Sequence, residues 1–289
     1  MTKANLLSWI KIIAELGKVR ISLPIAISAL TGYALKTNLF DGQAWMLMFG
    51  VFLMSCSSGT INHLQEYKTD ALMPRTKNRP IPSGKISPKG AFWVAFSFFA
   101  YGAFILIANF PIIVFLTSLL TLISYNLIYT PLKKVTAFAV VPGSLVGALP
   151  PYIGWFAGGG DWMNGDIFWV ALFFFIGQIP HFWLLLLMFG KEYELAGFPS
   201  LHSVFNDNQI KRLSFTWILA TIATAIVVSL EVLQGSVLMF FLLIYIFYVL
   251  FSLTASMLIK HDIQARPAFF KLNFLYLFVM IILIADSLF

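Results

Sequence analysis

Asn62, Glu66 and Asp70 follow one another at four-residue intervals, directly after an uncharged apolar stretch from Ala44 to Ile61. On a continuing helix, residues so spaced project from one face, with neighbours roughly 6 Å apart. At that separation oxygen side chains can share a divalent cation or flank a phosphate group. Pro74 ends the helical pattern, and Arg75, Lys77 and Arg79 come soon after it. Carboxylates for Mg2+ beside cations for phosphate oxygens are the parts that hold a diphosphate and help it depart. The competing reading is a solvated loop whose cations only fix membrane topology. It accounts for the lysine and arginines but not for a regular Asn/Glu/Asp face. Asn62, Glu66, Asp70, Arg75 and Arg79 are therefore the candidate catalytic residues, the first three as metal ligands, with Lys77 as a further phosphate contact.

Two later stretches carry polar side chains at the ends of apolar runs. Tyr125 and Tyr129 share a helical face near Asn126, and Lys133 and Lys134 follow at the water boundary. Alone, this reads as interfacial tyrosine anchors with a topogenic lysine pair. Beside a diphosphate site, the lysines can bind phosphate and the tyrosine faces can stabilise an allylic cation. His181 follows Pro180 inside another apolar run, and Lys191 and Glu192 stand just beyond it. An imidazole there either bonds the Ile176 carbonyl that Pro180 leaves free or contacts a cofactor or substrate. Glu192 is a candidate second acidic group, opposite Glu66 and Asp70, and completes the metal set. His63, His202 and His261 read as solvated surface residues.

These groups need a scaffold, and composition says which kind. The 289 residues are 60% hydrophobic and 11% charged, include 30 Phe, and have a mean hydropathy of +0.87. So few charges cannot cover so much apolar surface in water, so the expected solvent is lipid. The predicted fold is all-α: a single polytopic membrane bundle over 1–289, with residues 1–17 as an interfacial amphipathic helix. Nine spans are expected near 19–37, 44–62, 91–109, 111–130, 135–157, 166–189, 214–233, 236–259 and 269–288. Charges within the first twenty residues argue against a cleaved secretory signal. The single cysteine, Cys56, excludes an intrachain disulfide. With the N-terminus in the cytoplasm, every Lys and Arg except Lys36 falls on the cytoplasmic side, which predicts N-in, C-out. The net charge of +7 thus reflects topology and not nucleic-acid binding. The 62–90, 130–135 and 190–213 loops then emerge on one face.

The ordered runs of residues resemble the UbiA superfamily of intramembrane prenyltransferases, and within it the heme-farnesylating (heme O synthase) branch. Asn62, Glu66 and Asp70 match the superfamily's N-x-x-x-D-x-x-x-D motif. Met73-Pro-Arg75-Thr76-Lys77-Asn78-Arg79-Pro80 is similar to the branch's M-x-R-T-x-x-R-P run. Tyr129-Thr130-Pro131-Leu132-Lys133-Lys134, Pro150-Pro151-Tyr152-Ile153-Gly154-Trp155, Pro180-His181-Phe182-Trp183 and Glu192-Tyr193-x-x-Ala196-Gly197-x-Pro199 match further motifs. The similarity runs through about residues 15–285. Glu66 and Glu192 stand where the motifs carry Asp, which keeps the carboxylate on a longer arm. The resemblance implies the UbiA fold, Mg2+ as cofactor, and transfer of a farnesyl group from farnesyl diphosphate to a vinyl group of heme B, giving heme O. Heme B is then a substrate, the Pro180-His181 run lies near the porphyrin, and the product passes to heme A synthase or to terminal oxidase assembly. A bacterial inner membrane is the implied location. A UbiA-type enzyme acting on an aromatic or quinone precursor is the alternative.

Overall fold

The computed structural model describes residues 3–199, 201, 204–259 and 263–289, so His202 and His261 lie outside the described residues. Ten helical rods follow one another: α1 (Lys3–Leu16), α2 (Val19–Thr37), α3 (Gly42–Asp70), α4 (Pro88–Asn109) and α5 (Ile112–Leu132), then α6 (Ala137–Ala157), α7 (Gly165–Leu195), α8 (Asp207–Glu231), α9 (Ser236–Ile259) and α10 (Ala265–Leu288). Each expected span has its helix. Eight, α3 to α10, are long and apolar enough to cross a membrane among the described residues. Helix α2, the remaining expected span, falls short of that measure because Arg20, Lys36 and the buried Ser22, Ser28 and Thr31 dilute its apolarity. It nevertheless sits within the bundle, against α3, α6 and α10.

The rods pack in sequence around a ring that α10 closes against α2, with α2–α6 and α7–α10 contacts across it. Two apolar cores result. Leu30, Leu47, Met54, Leu106 and Ile153 fill the one between α2 and α6, and Phe173, Ile222, Ile246 and Leu275 fill the one between α7 and α10. The α2–α6 crossing depends on Gly154, where a Cβ would lie 1.7 Å from the Ala29 carbonyl oxygen. No side chain fits so close an approach.

The two longest helices exceed the thickness of a bilayer's hydrocarbon. The 29 residues of α3 and the 31 of α7 span roughly 44 and 46 Å at 1.5 Å per residue, against about 30 Å of hydrocarbon. Asp41 caps the start of α3 by accepting from Ala44 N, and its last turns carry the Asn/Glu/Asp face. A run of turns then leads to α4. Helix α1 covers this end: Ile12 and Leu16 pack with Leu64, Tyr67 and Ile81, while Leu7 and Ile10 are exposed.

Candidate active site

The spacing of Asn62, Glu66 and Asp70 does place them on one face, and all three are buried, at 1%, 5% and 1% exposure. Each is matched by a cation from a different element. Arg79, in the α3–α4 link, directs Nη1 to both Asp70 oxygens at 2.8 and 2.7 Å. Lys133, just past α5, places Nζ 2.5 Å from Glu66 Oε1, an ion pair and not an aligned hydrogen bond. Lys18, in the α1–α2 link, donates to Asn62 Oδ1 at 2.5 Å, and Nδ2 of that amide donates to Thr130 Oγ1 at 3.2 Å. Enclosure first, then the Arg79 and Lys133 charges, bring the Lys18 ammonium down to about 7. Nothing in the local sequence around Lys18 marks it as part of this site. Its place follows from its left-handed backbone (φ 47°) at the start of α2, which turns the chain onto α3.

The matching wall is the end of α5, which winds as a π-helix from Ser124 to Tyr129. Such a widened turn resets the register of the faces it carries and is frequent at functional sites. Here Asn126 becomes a brace to α3. It accepts from Ser58 Oγ at 2.7 Å and donates to the Ser58 carbonyl at 3.0 Å and to Gln65 Oε1 at 3.2 Å, while Gln65 donates to the Asn126 carbonyl at 2.8 Å. Tyr125 and Tyr129 stack with centroids 5.6 Å apart, Tyr129 reaches Phe182 at 5.3 Å, and Lys133 lies over the Tyr129 ring at 5.7 Å. Cations and aromatic faces thus border one space.

The other expected residues divide. Thr76 Oγ1 caps the end of α3 by donating to the Asp70 carbonyl at 2.9 Å, which fixes the loop that delivers Arg79. Arg75 turns its guanidinium over Phe189 at 5.0 Å and gives its backbone N–H to Glu192 Oε2 at 3.1 Å. Lys134 reaches the Gln65 carbonyl at 3.4 Å, and Lys77 and Lys191 are exposed. His63 is corrected: it is 2% exposed, hydrogen-bonded to the Glu15 backbone of α1, and not a solvated residue. His181 packs against Phe269 at 4.7 Å, beside Asn273 and Tyr276 of α10. Its Nδ1 is buried without a hydrogen-bond partner, so no bond from that nitrogen repairs the Pro180 kink.

A hard divalent cation fits the α3 face. The donors are carboxylate and amide oxygens. Among the described residues, no three His, Cys, Asp or Glu groups lie close enough to hold a metal ion unaided. Mg2+ takes one or two carboxylates and fills its remaining positions with water and substrate phosphate oxygens, so Glu66 and Asp70 beside the Asn62 amide fit it.

Comparison with known proteins identifies the family. The profile of the UbiA prenyltransferase family matches residues 25–278. A protoheme IX farnesyltransferase from Oleidesulfovibrio alaskensis is 34% identical over 186 residues, which cover 64% of this chain and 66% of that protein. One from Opitutus terrae is 34% identical over 218 residues, or 75% of this chain and 72% of that protein. The chain thus spans about two thirds of the length of the curated relatives it matches (66% for the first). A solved UbiA homolog from Archaeoglobus fulgidus, bound to DMAPP and Mg2+, superposes with a TM-score of 0.72 over 95% of this chain and 98% of that one, at 16% identity. At that identity the match shows a shared fold.

Proposed function

Because the chain belongs to the UbiA prenyltransferase family, we propose that it is a membrane enzyme that transfers the farnesyl group of farnesyl diphosphate to a vinyl carbon of heme B, with addition of water, to give heme O. The observation that carries the diphosphate half is the row of three oxygen side chains on α3, each paired with a cation from a different element. The acceptor is argued from the relatives named protoheme IX farnesyltransferase and from the Met73–Pro80 run.

Asn62, Glu66 and Asp70 would hold Mg2+, which when bound neutralises diphosphate charge and favours its departure. Arg79, Lys133 and Lys18, which now pair with those oxygens, would be free to bind phosphate oxygens when the metal is held. The farnesyl C1–O bond breaks and the diphosphate leaves with the electron pair. Tyr125, Tyr129 and Phe182 present ring faces to the allylic cation. The vinyl carbon of heme B then bonds to C1, and water adds its hydroxyl to the resulting cation and gives up a proton. His181, one residue from Phe182 with a free Nδ1, is the candidate contact for the porphyrin iron or a propionate. The Lys and Arg bias supports a cytoplasmic N-terminus and a site on the cytoplasmic face, in a bacterial inner membrane. Heme O would pass to heme A synthase or to oxidase assembly.

Membranes carrying the protein, incubated with labelled farnesyl diphosphate and either heme B or 4-hydroxybenzoate, test this. Label in heme O alone, dependent on Mg2+, is expected. Label in the aromatic acid would move the protein to the quinone-forming enzymes.

A further inference from the structure

Gln178 stands in the middle of α7, and no step described above uses it. It is half-buried, and its side-chain amide has no hydrogen-bond partner among the described residues. At about 100° per residue it projects between Phe182 and His181. Phe182 leans towards Tyr129 of α5 at 5.3 Å, and His181 towards Phe269 of α10 at 4.7 Å. The amide therefore faces the inside of the bundle, about one helical turn, or roughly 6 Å, deeper than Phe182. Two glycines of α6 make room on this side. A Cβ at Gly143 would lie 2.5 Å from Tyr129 Cδ2, and one at Gly147 would lie 2.6 Å from Gln178 Cγ. One stretch of α6 thus backs both the Tyr129 ring and the Gln178 amide. Other polar groups on the α5 wall are taken. Asn126 bonds to Ser58 and Gln65, Thr130 accepts from Asn62, and the Ser124 hydroxyl is fully enclosed. An unpaired amide inside a membrane bundle is costly, which marks it as a group that meets a ligand.

We propose that Gln178 holds the water molecule that completes the reaction. The inference rests on the transfer to heme B proposed above. When farnesyl C1 bonds to the terminal vinyl carbon, positive charge moves to the vinyl carbon beside the porphyrin. Water must meet that carbon among aromatic rings, away from the charged α3 face. Its oxygen forms the C–O bond, one O–H bond breaks, and the proton passes to the released diphosphate. The amide carbonyl accepts a hydrogen bond from such a water and leaves a lone pair of the water oxygen for the cation. A carboxylate at this position would itself add to the cation. Without a held water, the cation loses a proton from the neighbouring carbon, a C=C bond forms, and the farnesylated heme is lighter by one water.

The ratio of hydrated to dehydrated product reads this role, and a general loss of activity does not move it. Membranes carrying the full chain are supplied with farnesyl diphosphate, heme B and Mg2+, extracted without acid, and the hemes weighed by mass spectrometry. Wild type should give the hydrated product. Gln178→Leu should lower the ratio about tenfold or more, the effect of one lost hydrogen bond. Gly147→Ala, which displaces the amide without removing it, should lower the ratio about threefold. A wild-type ratio in Gln178→Leu overturns the proposal, and weaker heme binding at that unchanged ratio would make Gln178 a porphyrin contact. If Gln178→Leu forms no product, Gly147→Ala decides, and a wild-type ratio there overturns the proposal. Wild-type membranes that farnesylate no heme would instead remove the proposed function, and this inference with it.

Discussion

Helices α3 and α7 are both longer than a bilayer's hydrocarbon is thick and both end in acidic residues, yet the two ends are built differently. The end of α3 is buried and charged, with three oxygen side chains each matched to a cation. The end of α7 is aromatic, and its Glu192 bonds to a backbone N–H. Buried charges are costly unless paired, and removing one partner of such a pair typically costs about 3–5 kcal/mol. On the proposed function, the α3 charges are kept for a ligand that arrives later. Glu192 takes a backbone N–H of the loop instead. The comparison teaches that two acidic helix ends can engage the loop between α3 and α4 differently, one through a side-chain cation and the other through a backbone N–H.

The sharpest break in that comparison is at Asp70. Asp70→Asn and Glu66→Gln keep size and polarity but remove a metal-binding charge, so turnover should fall by about 10²–10³-fold or more while membrane insertion is unchanged. Rates measured over a range of Mg2+ concentrations check this; near-wild-type activity at limiting Mg2+ would deny α3 its chemical role. Next come Arg79→Ala and Lys133→Ala. Each removes a charge-assisted contact worth about 1.5–3 kcal/mol, so farnesyl diphosphate affinity should drop roughly 10- to 150-fold, with heme affinity little altered. Equal losses for both substrates, in parallel titrations, would point to collapse of the bundle end.

Smaller effects sharpen the contrast within α7. His181→Gln should leave farnesyl diphosphate binding intact and shift the bound-heme absorption spectrum, with heme affinity lowered about tenfold. An unchanged spectrum with normal product would leave His181 as a packing residue. The smallest expected signal is a proton. Lys18 sits at about 7 in the free protein, and an anionic ligand would raise it. Binding of farnesyl thiolodiphosphate with Mg2+ at pH 8 should therefore take up as much as about one proton, and less as pH falls below 7. Calorimetry in buffers of different ionisation enthalpy measures the uptake, which Lys18→Met should abolish.

What the sequence disclosed followed local rules. Four-residue spacing placed Asn62, Glu66 and Asp70 on one face, and a helix stop, expected at Pro74 and found at Asp70, put Arg79 within reach of Asp70. Hydropathy located every helix, missing only that α2 trades apolarity for small polar residues that pack inside the bundle. The rest depended on contacts that no local pattern encodes. Lys18 and Asn62 are 44 residues apart and meet only because the α1–α2 link turns through a left-handed residue. The π-turn that gives Asn126 its bracing role has no residue signature in Ser124–Tyr129. His63 read as solvated because it adjoins a water-facing motif, yet it is buried against the Glu15 backbone of α1.

The most direct test is calorimetric titration of farnesyl thiolodiphosphate into the solubilised protein with and without Mg2+. If the α3 oxygens exchange Lys18, Lys133 and Arg79 for a metal–diphosphate complex, binding will require Mg2+ in wild type and will be lost in Asp70→Asn. Equally tight binding without Mg2+, or retention of Mg2+-dependent binding in Asp70→Asn, would contradict that exchange.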